Sequence, residues 1–483
     1  MKIDKKNNGD SIKLFNRNYF LLWQGQFMSR IGSQVYLIAM IIWIKEATDS
    51  ASLLGLMGFI GGIPAVLFSI VGGVFADRHS RKKIIVFTDV INGVLMLTLA
   101  FLFYTTPESP SIIITALMII IFINSITGSY FIPAISASIP DIVHKDKLTS
   151  ANSWSQGSQQ IVSIFGLALG GLLYTLLGAP LLVLLNGMSF IFSAVSESFI
   201  TIPQVIPEKK KRIQEQFETF IKDIKIGFGY IWERSGLKKL VLTSVLTNFF
   251  SVPIALLLPF YVDDVMNLDD SWLGYFLAIS ALGSLVGFLI SGTLKLSPKA
   301  RMRYIIFFIF LDGLFYILLG VFSIIVPVLL ILFTSGFLAG FVQVHIQTIL
   351  QITTESNMRG RIFGFIGTIS GALIPIGMGV AGFVADLTNK NIPVIYIGSG
   401  IFILLISLYI VGSKDIRDFL AIDYSPRDGS RNNKTNDIVE KVSTKNQNLG
   451  QIYNSNNNIV TRSVISLNLA VMEKIKNKLK QKK

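Results

Sequence analysis

The 483-residue chain has no cysteine, and its three histidines, His79, His144 and His345, are far apart in sequence. The first absence excludes disulfides, thiol nucleophiles and thiolate metal sites. The second argues against a histidine metal cluster. No G-x-x-x-x-G-K-[ST] run occurs, so the chain has no P-loop with which to hydrolyse ATP. Charge is scarce as well. Asp, Glu, Lys and Arg make up 15% of the residues, against about 25% in a soluble protein. What is abundant is apolar: 51% of the residues are hydrophobic and the mean hydropathy is +0.60. This composition describes a membrane protein, with neither an enzymatic centre nor a cofactor site in view.

Apolar runs long enough to cross a bilayer, about 20 residues each, fall at 19–43, 51–75, 84–104, 112–133, 155–178 and 181–202. After a polar stretch they resume at 238–262, 272–294, 304–325, 327–350, 362–385 and 392–413. That makes twelve spans, six and six. The first is long, follows a basic segment and lacks a small-residue cleavage site, so it reads as an uncleaved anchor. Of the 43 Lys and Arg, 40 fall on one side of this layout; only Lys45 and Lys390 lie opposite, and Arg30 is inside a span. The positive-inside rule then makes both termini cytoplasmic. Asp263, Asp264, Asp269 and Asp270 fall on the other face. The net charge of +14 follows from this topology and from attraction to anionic lipid, and needs no nucleic-acid partner.

The boundaries follow: a basic N-terminus (1–18), a six-span half (19–202), a linker (203–237), a second six-span half (238–413) and a polar, Asn-rich tail (414–483). In the linker, Phe217, Phe220, Ile221, Ile224, Phe228, Ile231 and Trp232 share one helical face behind the run Lys209-Lys210-Lys211-Arg212. That pattern predicts an amphipathic helix on the inner leaflet. The tail reads as disordered to about residue 460, with a basic surface helix or a frayed end beyond. Shifting by 220 residues lays Arg81 on Arg301, Lys83 on Arg303, Asn92 on Asp312 and Gly93 on Gly313. The shift moves the third span onto the ninth, so the halves run parallel, as in two-lobed transporters with a site between the lobes.

The loop after the second span reads Gly73-Val-Phe-Ala-Asp77-Arg78-His79-Ser80-Arg81-Lys82-Lys83. It resembles the G-x-x-x-D-R-x-G-R-[RK]-[RK] loop of the major facilitator superfamily, with Ser80 in place of the second glycine. Pro133-Ala-Ile-Ser-Ala-Ser-Ile-Pro140-Asp141-Ile-Val143 and Leu148-Thr-Ser-Ala151-Asn152 resemble the fourth-to-fifth helix loop of its macrolide-efflux-like subgroup, which includes siderophore exporters. Gly25-Gln26 with Ser29 and Gly32, Leu185-Asn186 and Gly360-Arg361 are further echoes, over residues 15–413. The resemblance implies an all-α membrane protein of twelve transmembrane helices in two parallel six-helix lobes, the major facilitator fold. It also implies a gating latch of Gly73, Asp77, Arg78, Arg81 and Lys82 against the eleventh helix, which Arg359-Gly360-Arg361 begins. Gly73 is expected to permit close helix approach. Gly292-Thr-Leu-Lys295, the counterpart in the second half, lacks the aspartate. Gly166, Gly170 and Gly171 keep the glycines of the antiporter motif on the fifth helix, but Leu167 replaces its proline; ordinary small-residue packing explains them as well. Gly377-x-Gly379-x-x-Gly382 lies inside a span with no preceding strand, so it is no dinucleotide site.

A charge at the bilayer centre costs about 2.5–3.5 kcal/mol on insertion scales, so Arg30 is the foremost candidate for substrate contact; the alternative is a clamp on carbonyls or a carboxylate. Gln26 and Gln34 flank it on the first helix. The resemblance assigns the cavity to helices one, four, seven and ten, adding Asn124, Asn248, Gln343 and Gln347 as substrate-binding candidates. The proton-coupling candidates are His345, Glu197 and Asp312. None of those four helices holds an Asp or Glu; Asp89, Glu197 and Asp312 lie on helices three, six and nine, which the family places peripherally. A cavity with Arg30 and no fixed negative charge favours neutral or anionic substrates. The expectation is a monomeric exporter in the bacterial cytoplasmic membrane. It would move a macrolide-like amphiphile by alternating access, driven by the proton gradient, with no cofactor and no metal. A siderophore exporter, an importer of the same fold and a non-transporting sensor or immunity protein acting through its tail are the alternatives.

Overall fold

The computed structural model describes residues 14–204, 213–294, 296–354 and 358–422. The basic run 209–212, the segment beyond residue 422 and its anticipated terminal helix lie outside the described residues. Every long element is a helix: α1 (Arg17–Thr48), α2 (Ala51–Arg78), α3 (Arg81–Thr105), α4 (Pro110–Ile142), α5 (Leu148–Ser198), α6 (Ile213–Glu233) and α7 (Ser235–Leu256). After a short turn, α8 (Leu258–Phe260), come α9 (Ser271–Thr293), α10 (Pro298–Val321), α11 (Ile325–Thr353), α12 (Arg359–Leu387), α13 (Ile392–Gly412) and the short α14 (Lys414–Leu420). Eleven of these stretches are long and apolar enough to cross a membrane. Their outer faces expose large apolar side chains such as Phe87, Ile132, Leu176 and Leu387. Lipid tolerates such faces, while a helix satisfies its own backbone.

The helix starts are set locally. Asn16 accepts from the Tyr19 amide at 2.9 Å and donates to the Ile142 carbonyl at 2.7 Å, tying the start of α1 to the end of α4. Ser50 caps α2 and Ser80 caps α3, each a hydroxyl serving an orphan amide of the first turn. The Ser80 that departs from the family's glycine is therefore a cap.

Two expectations need correcting. The segment 134–154 is not mainly a loop: α4 runs on through Pro133 and Pro140 to Ile142, and α5 resumes at Leu148 after a single turn at Lys145–Lys147. Hydropathy marks depth in the membrane, and these helices outlast their apolar stretch. The fifth and sixth expected spans form one helical run, Leu148–Ser198, interrupted only at Gly178 (φ 73°, ψ 164°) just before Pro180. A straight helix of that length would measure about 75 Å, far beyond the ~30 Å apolar core. Gly178 takes a conformation that other residues resist and divides α5 into two arms.

Helices α1 to α5 pack largely on one another, and so do α7, α9, α10, α11 and α13; α12 packs on α7 but more extensively on α2, and this contact, with α5 against α9, joins the two groups. Equivalent positions of the 220-residue shift make equivalent contacts. A Cβ on Gly93 of α3 would meet Ile191 and the Gly187 carbonyl of α5, and one on Gly313 of α10 would meet the Gly400 carbonyl of α13. Asn92 accepts from Thr127 Oγ1 at 2.9 Å, linking α3 to α4, and Asp312 accepts from the Ser335 hydroxyl, linking α10 to α11.

Candidate functional site

The site is built on α1. Gly25 and Gly32 leave no side chain between α1 and the second arm of α5. A Cβ at Gly25 would stand 3.0 Å from Ser193 Oγ and 3.4 Å from Glu197 Cγ, and one at Gly32 would stand 2.8 Å from Asn186 Oδ1. That contact lets Gln26 Nε2 donate to Glu197 Oε1 at 2.8 Å. One turn on, Arg30 is half-buried and faces the charge of Glu197. With Gln26, Trp23, Phe27 and Ser158 it lines a small cavity of about 20 Å³ between α1, α4 and α5. Among the described residues no hydrogen bond or ion pair holds its guanidinium, so its donors open onto a cavity that in this conformation has room for about one water. Glu197 is only 1% exposed and lies beside Asp89 of α3. Glu197 does not line the cavity; it stands behind the wall, bonded to the lining residue Gln26.

The other candidates are dispersed. Gln34 is half-buried on α1, and Gly166 is packed beneath its Cβ; Gly170 receives Ile38, and Gly171 approaches the Asp270 and Ser271 carbonyls across the two groups. Asn124 is half-buried with its Oδ1 unpartnered. Asn248 is exposed and donates to the Ser244 carbonyl of its own helix at 2.9 Å. Gln343 and Gln347 are exposed on α11, whereas His345 between them is buried, stacked on Phe341, with Nδ1 2.9 Å from the Phe341 carbonyl. Asp312 is buried with Ser335 and Tyr316. Neither His345 nor Asp312 is brought to Arg30.

The latch residues make their bonds within one group. Asp77 is exposed, 3.5 Å from Arg81; Arg81 in turn holds Asp141 and the Ala137 carbonyl of α4. Arg78 and Lys82 are half-buried. Arg361, at the start of α12, pairs at 2.7 Å with Asp223 of the linker helix α6 instead. Gly73 has open space where a Cβ would be. The close approach expected there occurs at Gly72, against the Ser129 carbonyl, which Pro133 four residues on cannot serve with an N–H.

The opposite end of α2 holds what the sequence reading missed. Asp386, at the end of α12, accepts from the Ala51 amide at 3.0 Å, the Ser52 amide at 2.8 Å and Ser50 Oγ at 3.0 Å. It thus caps α2 from the other group of helices, where a carboxylate is favoured by the dipole. A Cβ on Gly382 would collide with the Ala51 carbonyl. Gly382-Phe-Val-Ala-Asp386 repeats the spacing of Gly73-Val-Phe-Ala-Asp77, and that was the available signal. At this same end buried Lys45 pairs with Asp263 and Asp264, Lys390 with Asp49, and Tyr174 with Glu46. Beside Glu46, Asp270 is pushed up to about 6, first by burial and then by that carboxylate.

Comparison with known proteins fits this architecture. Macrolide efflux protein A of Streptococcus pyogenes is 27% identical over 382 residues, 77% of this chain and 90% of that protein. A bacterial homologue of the iron transporter ferroportin in an inward-facing state superposes with a TM-score of 0.62 at 16% identity, covering 81% of this chain and 98% of that one. The nucleoside transporter NupG gives 0.61 at 15% identity, over 82% and 99%. Residues 22–378 match the Major Facilitator Superfamily. The chain belongs to that superfamily: it is a multi-pass bacterial inner-membrane secondary transporter of small molecules, related at moderate identity to macrolide-efflux-like transporters, and not an enzyme.

Proposed function

We propose that this transporter exports a macrolide-like amphiphile from the cytoplasm, with Arg30 and Gln26 as its principal substrate contacts. The observation that carries the reading is a half-buried guanidinium in a membrane helix, lining a cavity with no hydrogen-bond partner among the described residues. An arginine kept at that depth for structure alone would be clamped by carbonyls or a carboxylate. The relation to macrolide efflux protein A supports the substrate class. An anionic amphiphile such as a siderophore is the second reading, favoured by the same free positive charge.

Counting the two arms of α5 separately gives twelve crossings in two six-helix lobes. The basic side of the layout, with the Asp77 loop and both termini, is cytoplasmic. The conformation is then closed to the outside by Asp386, Lys45 and Lys390, while the Asp77 latch stands open to the inside. Alternating access exchanges the two closures, the proton gradient supplies the energy, and a monomer suffices. The test is accumulation of a labelled macrolide in efflux-deficient cells expressing wild type or Arg30→Ala, with and without a protonophore. Lower accumulation with wild type, abolished by the protonophore and by the substitution at equal membrane levels, supports the reading. An unchanged wild-type level removes macrolides, and an anionic siderophore is then tested in the same way.

A further inference from the structure

The carboxyl groups of Asp89 and Glu197 lie side by side, 0% and 1% exposed, with the fully buried Ser193 hydroxyl next to both. Gln26 serves one Glu197 oxygen. Glu197 Oε2, both Asp89 carboxyl oxygens, Gln26 Oε1 and Ser193 Oγ have no hydrogen-bond partner outside this cluster. A native interior leaves few such atoms, because each costs about 1–3 kcal/mol. Here several oxygens are orphaned in one cluster, contributed by α1, α3 and the second arm of α5. Two of the side chains that carry them, Gln26 and Ser193, are neutral, more than nine-tenths buried and turned toward the acids. Oxygen donors converging on two carboxyls are what a small hard cation needs. Among the described residues no His and no third acid joins the group, which disfavours a transition metal.

The charge balance sets the valence. The groups that act on Glu197 are Asp89, Gln26 and Ser193, and Arg30 faces it from α1. Two carboxylates and one guanidinium leave a single negative charge, which one monovalent cation neutralises. We propose that Asp89 and Glu197, with the oxygens of Gln26 and Ser193, bind one monovalent cation, a proton or a sodium ion, and that this is the coupling ion of transport. The proposal rests on the transporter reading and deepens it. Gln26 belongs both to this cluster and to the cavity wall beside Arg30. With the cation bound, one remaining carboxylate charge balances Arg30 from behind Gln26, and the guanidinium donors face the cavity for substrate. When the cation leaves, the uncovered Glu197 charge draws Arg30 back and weakens the substrate's hold.

The test is infrared difference spectroscopy of the carboxyl groups in the purified full-length protein. Both arms use an Asp270→Asn background, so that this half-buried carboxyl adds no signal. One steps from about pH 9 to about pH 6 without sodium, above the range of exposed carboxyls; the other exchanges choline for sodium at constant pH. A carboxyl signal in the pH arm alone assigns a proton, and one in the sodium arm assigns sodium. In either case Asp89→Asn and Glu197→Gln each abolish it. Ser193→Ala, a small deletion that serves if the amide variants fail to fold, weakens sodium binding about tenfold or more or alters the proton signal. No signal in either arm, or a signal that survives all three substitutions, overturns the site. Failure of the transporter reading is distinguishable: a protein that moves no substrate but gives the signal keeps the site, and one that transports without it loses the site alone.

Discussion

The Asp386 carboxylate and the Ser52 amide, 2.8 Å apart, join the last turn of α12 to the first turn of α2. The same carboxylate takes the neighbouring Ala51 amide and the Ser50 hydroxyl, so one side chain ties α2 to α12 at this end. At the other end of the same antiparallel pair, Asp77 is exposed and bound only to Arg81 of its own group of helices. The two aspartates occupy mirrored places, and one of them is engaged.

Asp386→Asn removes a charge-assisted cap worth about 1–2 kcal/mol. It should shift the conformational balance toward opening at that end by about tenfold. The cysteine-free sequence allows the check directly: spin labels on Glu108→Cys and Thr388→Cys, both exposed, should report longer distances in the variant.

Asp77→Asn should act oppositely. It removes the aspartate proposed to latch against α12 in the alternate conformation, while costing the present one only an exposed pair with Arg81, worth about 0–1 kcal/mol. The spin-label distances should narrow to the closed population. In the double variant the two shifts should largely cancel, and persistence of either one alone would separate the two aspartates mechanistically.

Gly72→Ala and Gly73→Ala should differ sharply. A methyl at Gly72 collides with the Ser129 carbonyl, whereas at Gly73 it meets nothing within 4 Å. The first should lower stability by about 1–3 kcal/mol and reduce the monodisperse yield in detergent. The second should leave melting temperature and yield unchanged.

Much of the fold was legible because a bilayer forces apolar stretches of fixed length: the runs 155–178 and 181–202 part where Gly178 divides α5. The end of α4 was not legible: Ile135 and Ile139 continue the helix beneath a mixed surface that hydropathy cannot separate from a loop. Asp386 escaped notice because the internal repeat was followed at a shift of 220, which never pairs α2 with α12. The Asp89–Glu197 contact depends on the register between α3 and α5, set by Gly93 and Gly187 at their crossing rather than by any spacing along the chain. Arg30 stood out for the simplest reason, a charge in an apolar run.

Asp270 gives a pH dependence with a definite sign. Its carboxyl lies at about 6 in this closed conformation, through burial and then Glu46, and would return toward about 4 once opened to water. The closed form therefore binds more protons. This contribution to closure is complete below pH about 4 and is lost as pH rises through about 6. Because the group is only half-buried, a shift in closed population of severalfold is expected, read by the same spin labels in wild type and absent in Asp270→Asn.

Uphill movement of substrate through the Arg30 site is tested most directly in energised inside-out membrane vesicles loaded from outside with a radiolabelled macrolide. Wild-type vesicles should concentrate the label until the gradient is collapsed. Arg30→Ala vesicles with equal protein should only equilibrate, and Arg30→Lys should recover a part of the activity, because it keeps the charge but loses the planar fork. Concentration of the label by Arg30→Ala at the wild-type rate would contradict the account.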